Sequence, residues 1–547
     1  MIRVTNPVLP GFHADPSILR VGDEYFIANS TFEWYPGVEI HRSKDMISWE
    51  SVPSPLGEKR LLDMAGNRAS NGIWAPCLSY AEGLFWLIYT NVRSWNAGPW
   101  KDTPNFLTTA PSIEGPWSDP VFMNCSGFDP SLFHDDDGKK WFVNMEWDYR
   151  QPKNPEGPQF SGILLQEYNL AAKKLTGPIR KIFHGSNIDA VEGPHLFKRN
   201  GWYYVIAAEG CTGYNHAATL ARSRSIEGPY EVHPYNPLIT SYGHPELRLQ
   251  KAGHASICDT PEGRSYLAFL CGRPLPGTQN CVLGRETSIV ELEWHDDWPY
   301  IKPEPGQELF RDGIVWNYPT DTFSPPIPKG SSAAAPTPAE LAVQHSRVYR
   351  FNEKKLHNDF KTLRTERDPA VYSLNARPGF LRLRGGQSPV STFDQTLLAR
   401  RQTDFSFKAE TRLEFSPKNF QELAGLCWRY DEANQYLLAI THDEKFGRAL
   451  LVLTMVGGVF AKSKPISVPD EGPLHLGLTV NERCGSFRYS PDGKTWAELR
   501  PALDAAVLSD EYYFLGFTGA FTGIFCVDTA KYEATADFEY FSYTAIG

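Results

Sequence analysis

One pattern recurs five times in the first half of this 547-residue chain, and it limits the possible folds more than any other feature. The copies read HADPSILRVGDEYFIANS around Asp15, WAPCLSYAEGLFWLIYTN from Trp74, FDPSLFHDDDGKKWFVNM around Asp129, EGPHLFKRNGWYYVIAAE from Glu192 and GHASICDTPEGRSYLAFL around His254. Each opens on a polar or aromatic residue beside a small residue or proline. A short apolar run follows, then a turn with Gly or Asp, then an apolar-aromatic strand. The anchors recur about every 60 residues, somewhat longer than a kelch blade of about 50. Weaker echoes (SKDMISWE, PSIEGPWSD, LTGPIRKI, SIEGPYEV, SIVELEW) read as outer strands of the same units.

No long stretch keeps a helical period, so each unit is a hairpin followed by further strands. Five four-stranded units arranged radially make a five-bladed β-propeller. A β-solenoid or a double sandwich is the competing architecture. In a propeller the innermost strands line the axis. Asp15, Trp74, Asp129, Glu192 and His254 are therefore expected to face one axial pocket.

The pattern ends near residue 323. The stretch SPPIPKGSSAAAPTPAE, rich in Pro, Ala and Ser, reads as a linker or extended crossover over 324–345. Residues 346–547 carry alternating strands such as FSFKAETRLEF, QYLLAITHD and ALLVLTMVGG, which suit an antiparallel β-sandwich. The expected organisation is an all-β chain: a catalytic propeller over 1–323, the linker, and a sandwich.

Composition narrows the function. The formal charge, 54 minus 64, is -10, and no basic run exists, which argues against nucleic acid as a partner. No 18-residue apolar stretch appears, so no membrane helix is expected. MIRVTNPVLPGF lacks the pattern of a signal peptide, and nine scattered cysteines without a C-x-x-C suit free thiols; together they predict a cytoplasmic protein. Aromatic residues at 13%, with 15 Trp and 25 Tyr, fill cores and also suit packing on sugar faces. The motifs of serine hydrolases, zinc proteases and P-loop enzymes are missing.

Hydrolysis of a glycosidic bond needs two carboxyl groups. An axial pocket holding Asp15, Asp129 and Glu192 has three. Like charges held close cannot all ionise, so one pKa rises and that group becomes a candidate general acid. A single D-P-S is an ordinary turn. Two of them and an E-G-P-H in a repeat are more specific. His254 is either a satisfied core histidine or a supporting or metal-binding group.

Taken together, FHADPSI, GIWAP, GFDPSLF, EGPHLFKRNGWYY, YNHAAT, KAGHA, CGRP and LGRET resemble glycoside hydrolase family 43, and most of all its two-domain β-xylosidases. The likeness runs over essentially the whole chain, including the C-terminal GAFTG. It implies an inverting exo-glycosidase in which Asp15 matches the general base and Glu192 the general acid. Asp129 matches the residue that modulates and orients the acid. Phe32, Trp74, Phe128, Thr212 and Arg285 match residues that shape the sugar pocket. Phe521 matches an aromatic that the sandwich places near the pocket mouth. His254 matches an axial-channel histidine, where family members often hold calcium or water. No organic cofactor is implied. The chain departs from the family in having only LPGTQNCV between CGRP and LGRET, where relatives often carry a longer loop.

The implied substrate is a β-1,4-xylo-oligosaccharide cleaved at its non-reducing end, with a homo-oligomer as the candidate assembly. An α-L-arabinofuranosidase or bifunctional enzyme on the same scaffold is the nearest alternative. A non-catalytic sugar-binding propeller is the alternative from another class. A retaining fructan hydrolase would carry a W-M-N-D-P-N-G start, which is missing.

Overall fold

The computed structural model describes residues 2–95, 100–150, 159–304, 306–311, 314–326, 336–512 and 516–546. Five antiparallel sheets, each led by one copy of the repeat, form the propeller. Their innermost strands are Ala14–Val21, Gly72–Ala81, Ser131–His134, Glu192–Arg199 and Gln250–Asp259. The second strand of each blade is the apolar-aromatic run of the repeat, such as Glu24–Ser30 or Leu84–Val92, almost wholly buried between neighbouring blades.

The ring is closed from the N-terminus. Val4–Thr5 pairs with Thr322–Phe323, and the Asn6 side-chain amide donates to the carbonyls of Ile289 and Thr320. Between the first and last blades, Ser256 Oγ accepts from Ile18 N at 2.8 Å and donates to the Pro16 carbonyl. Between the first and second, Ser17 Oγ accepts from Leu78 N at 3.1 Å. Short hydroxyl side chains thus satisfy backbone groups that the twist of the blades leaves unpaired.

The innermost strands share a feature that the repeat does not announce. At the axial position each chain turns through a left-handed residue: Asp15, Ala75, Asp129, Gly193 and His254, with φ between 37° and 56°. The pairing slips there by β-bulges, between Ala14 and Ser17, Trp74 and Cys77, and Glu192 and His195. A bulge re-aims the side chains beside it. Glu192 and Trp74 therefore each stand one residue before the position equivalent to Asp15, Asp129 and His254. The repeat anchors converge, but they are not all equivalent.

After the propeller, residues 327–335 of the expected linker lie outside the described residues. Pro338–His345 is a helix. Its start is specified locally: Pro338 opens it, Thr337 Oγ1 accepts from Glu340 N, and Glu340 reaches back to Thr337 N.

The C-terminal unit is a sandwich of two antiparallel sheets. One is built around Phe407–Glu414, whose side chains alternate between buried and accessible, and Thr535–Ala545. The other contains Thr396–Arg401, Phe521–Asp528, Glu422–Arg429 and Gln435–Asp443. One face of this second sheet packs on the propeller. Leu397, Ala399, Leu437, Phe525 and Val527 join Phe12, Phe32, Trp34, Trp74 and Phe128 in one apolar cluster. Among the described residues no helix is long and apolar enough to cross a membrane.

Candidate active site

The left-handed turn of Asp15 lets its carboxylate reach Ser30 and Arg285. Ser30 Oγ donates to Asp15 Oδ2 at 2.6 Å while accepting from Ala75 N at 2.7 Å. Arg285 Nη1 donates to Asp15 Oδ1 at 2.9 Å, and His254 Nδ1 stands 3.7 Å from the same oxygen. Asp15 is 5% exposed. Burial opposes its charge, but Arg285, His254 and Ser30 outweigh that, and the carboxyl is held below its ordinary value.

Asp129 and Glu192 sit in the opposite environment. Burial, and then the Asp15 charge, push Asp129 well above the usual carboxylate range. Burial, and then Asp129 and Asp15, do the same to Glu192. Asp129 Oδ2 accepts from Gly193 N at 3.1 Å, which ties it to the backbone that carries Glu192. Asp129 and Glu192 are both raised by burial and by neighbouring carboxyls, while Asp15 is the one of the three held low.

Aromatic rings wall the pocket. Trp74 meets Phe128 edge-on at 5.3 Å and Phe32 at 5.8 Å, and its indole N–H is fixed on the Ser70 carbonyl at 2.8 Å. Of the residues that the resemblance matches to the pocket, Phe32, Trp74, Phe128 and Arg285 therefore gather around the carboxylates. Thr212 is half-buried in the turn after Trp202–Glu209. Among the described residues no hydrogen bond ties it to them. Its neighbour Cys211 is exposed.

Phe521 requires a correction. It is fully buried and stacks on Trp34 with centroids 3.7 Å apart, so it holds the sandwich to the propeller and does not reach the pocket mouth. The sandwich residue in the pocket is Phe517. Its ring lies 6.0 Å from Phe32 and 5.4 Å from Trp74, and its carbonyl accepts from Arg285 Nη2 at 3.0 Å. The sequence reads FTGAFTG, two copies of one tripeptide, and the earlier phenylalanine is the one at the site. Sequence reasoning also passes over Ser30 and an outer group in which Lys101 Nζ lies 4.6 Å from the Trp95 ring and 4.1 Å from that of Trp147.

The side chains around His254 are poor in oxygen, whereas calcium takes six to eight oxygen ligands, waters among them. Here the near neighbours are the imidazoles of His195 and His216, both pushed down to about 3 by burial, and the committed Asp15. A second group with ligand chemistry, His13, Glu39 and His41, lies under the sandwich. Arg401 already takes both oxygens of Glu39, with Lys361 3.5 Å away, so this group reads as a buried ion-pair cluster. All nine cysteines are free thiols.

A propeller axis that gathers three buried carboxyls, one of them paired with an arginine, inside an aromatic pocket has the equipment of a glycoside hydrolase. The sequence profile of glycosyl hydrolases family 43 matches residues 4–299, and that of the β-xylosidase C-terminal concanavalin A-like domain matches 348–544. The chain belongs to glycoside hydrolase family 43. It is 46% identical to xylosidase/arabinosidase 43B of Humicola insolens, over 100% of this chain and 98% of that protein. It is 44% identical to a β-xylosidase of Bacillus subtilis, over 99% of both. The crystal structure of xylan β-1,4-xylosidase from Bacillus halodurans superposes with a TM-score of 0.91 at 46% identity, covering 99% of this chain and 100% of that one.

Proposed function

We propose that this enzyme is an inverting exo-β-xylosidase that releases xylose from the non-reducing end of short β-1,4-xylo-oligosaccharides. The observation that carries the mechanism is the contrast between Asp15, bound by Arg285 and Ser30, and Glu192, buried next to Gly193, which binds Asp129; it holds the first carboxyl low and pushes the second up. Asp15, ionised, takes a proton from a water as its oxygen bonds to the anomeric carbon. The bond to the leaving oxygen breaks in the same step, and Glu192 supplies that oxygen with a proton. Inverting enzymes place the two carboxyls about 6.5–9.5 Å apart to admit the water. Asp129, beside Glu192, raises the pKa of the acid and holds the acid's backbone at Gly193.

Arg285 has a further part in this reading. Its Nε is buried without a hydrogen-bond partner among the described residues, which leaves a donor for a sugar hydroxyl. Exo-action is supported by Phe517, which the sandwich sets against Phe32 and Trp74. Xylose as the sugar is supported by the names of the three relatives described above. The Humicola relative's name also supports a second activity on α-L-arabinofuranosides.

The test is the initial rate on an aryl β-D-xyloside beside an aryl α-L-arabinofuranoside, with Asp15→Ala as control. A dominant xyloside rate that vanishes in the variant is expected. A dominant arabinofuranoside rate would change the substrate and keep the mechanism. No rate on either by folded enzyme would overturn the reading.

A further inference from the structure

Residues 275–284 tie the propeller chain to the sandwich. Leu275, Val282 and Leu283 belong to the propeller chain but sit in the core of the sandwich. Two sandwich stretches, 509–512 and 516–520, lie along this segment. Asn280 Nδ2 donates to Ser509 Oγ at 3.0 Å, Cys281 N to Glu511 Oε2 at 2.8 Å, and Ala520 N to the Val282 carbonyl at 2.9 Å. The backbones touch: a Cβ on Gly519 would lie 2.7 Å from the Leu283 oxygen.

The next residue along the chain after Gly284 is Arg285. Its guanidinium is planar, so two fixed contacts set its orientation. One is the Phe517 carbonyl at Nη2, from the sandwich; the other is Asp15 at Nη1. The position of Phe517 depends in turn on the groups that hold 509–512 and 516–520. Glu511 pairs with Lys251, a buried residue of the innermost strand that also carries His254. The Tyr430 hydroxyl donates to Asp510 and accepts from Thr518 N at 3.4 Å, and it links the two stretches.

We propose that Glu511, Lys251 and Tyr430 are positioning residues for Arg285 and, through it, for Asp15. The sandwich then contributes to the reaction by fixing the cation that keeps the base ionised, as well as by walling the pocket. This rests on the reading of Asp15 as general base. The groups that face Asp15 are Arg285 and His254, with His216 further off, the hydroxyl of Ser30, and the carboxyls of Asp129 and Glu192. Of these, Arg285 is the one that the sandwich holds by a hydrogen bond among the described residues.

The experiment is the pH profile of kcat/KM for xylobiose in the full-length enzyme, for wild type, Glu511→Gln, Tyr430→Phe and Leu476→Ala. Leu476 lies in the sandwich core and serves as the stability control. Glu511→Gln keeps an acceptor for Cys281 N and removes the charge that holds Lys251. Both positioning variants are expected to lose about tenfold or more in kcat/KM, as a misplaced catalytic group does. Their acid limb should move to higher pH, because a loosened Arg285 supports the Asp15 charge less. Leu476→Ala should lower Tm and leave the limb in place. If either positioning variant folds and keeps the wild-type limb and rate, the proposal is overturned. A wild-type enzyme inactive on xylobiose and on aryl xyloside would instead overturn the functional reading, before any variant is compared.

Discussion

Gly193 faces the imidazole of His254 so closely that a Cβ on it would lie 2.9 Å from His254 Cε1. The same glycine has φ 56° and gives its N–H to Asp129. One residue therefore sets the bulge that aims Glu192, the carboxyl contact that orients Asp129, and the seat of the axial histidine.

Gly193→Ala should accordingly be a catalytic lesion more than a folding one. Left-handed strain at one residue costs about 1–2 kcal/mol. Displacing Glu192 by about an ångström is expected to lower kcat by about a hundredfold. Kinetics beside a thermal melt check this: a small Tm change with a large kcat loss is expected, and an unchanged kcat would contradict the role of the bulge.

Glu192→Ala should separate substrates by leaving group. General acid catalysis contributes about 10²–10⁴-fold where the leaving oxygen needs a proton. Xylobiose turnover should fall by that order, and that of an aryl xyloside with an acidic phenol by far less. Equal losses on both would remove Glu192 from the role of acid.

Phe517 and Phe521 should part company in the same way. Phe517→Ala is expected to cost about tenfold in kcat/KM for xylobiose, with little change in Tm, because its ring lines the pocket. Phe521→Ala removes a buried ring stacked on Trp34 and should cost about 3–5 kcal/mol of stability. Activity per folded molecule should survive the second change better than the first. The reverse pattern would restore Phe521 to the pocket.

Glu33, next to Phe32, offers a pH test of stability. Burial raises its pKa from 4.5 to about 8, against the opposing effect of Arg364, and its Oε2 accepts from Ser70 N at 2.9 Å. A raised pKa means the folded protein holds a proton that the unfolded chain releases. The stabilising contribution of this group is full below about pH 4.5 and is lost progressively as pH rises to about 8. Glu33→Gln keeps the acceptor and abolishes the titration. In urea melts it should match wild type near pH 4.5 and be the more stable of the two near pH 8. Parallel pH profiles for the two proteins would contradict this.

Much of this site is legible in the amino-acid sequence. Asp15, Asp129 and His254 occupy equivalent left-handed positions, and the repeat alone predicts that they converge. Trp74 and Glu192 converge through a different geometry, because a bulge turns the residue before the left-handed position toward the axis as well. Bulges leave no sequence signal beyond a proline or glycine, so the one-residue offset is hidden. The choice between Phe517 and Phe521 is hidden for another reason: the two FTG copies are locally identical, and only the long-range contact with Trp34 tells them apart. The helix at Pro338–His345 is signalled by Thr337, Pro338 and Glu340, but the Pro, Ala and Ser content of the stretch outweighs those three residues. The role of 275–284 leaves no local trace, since it depends on sandwich residues more than 200 positions away.

The central claim is a single displacement by water activated at Asp15 with protonation by Glu192, and the anomer first released tests it most directly. Proton NMR of xylobiose hydrolysis, recorded faster than mutarotation, should show α-xylose appearing first from the β-linked non-reducing end, with no such signal from Asp15→Ala. Initial release of β-xylose would mean a covalent intermediate, and with it that Asp15 is not the base of an inverting reaction.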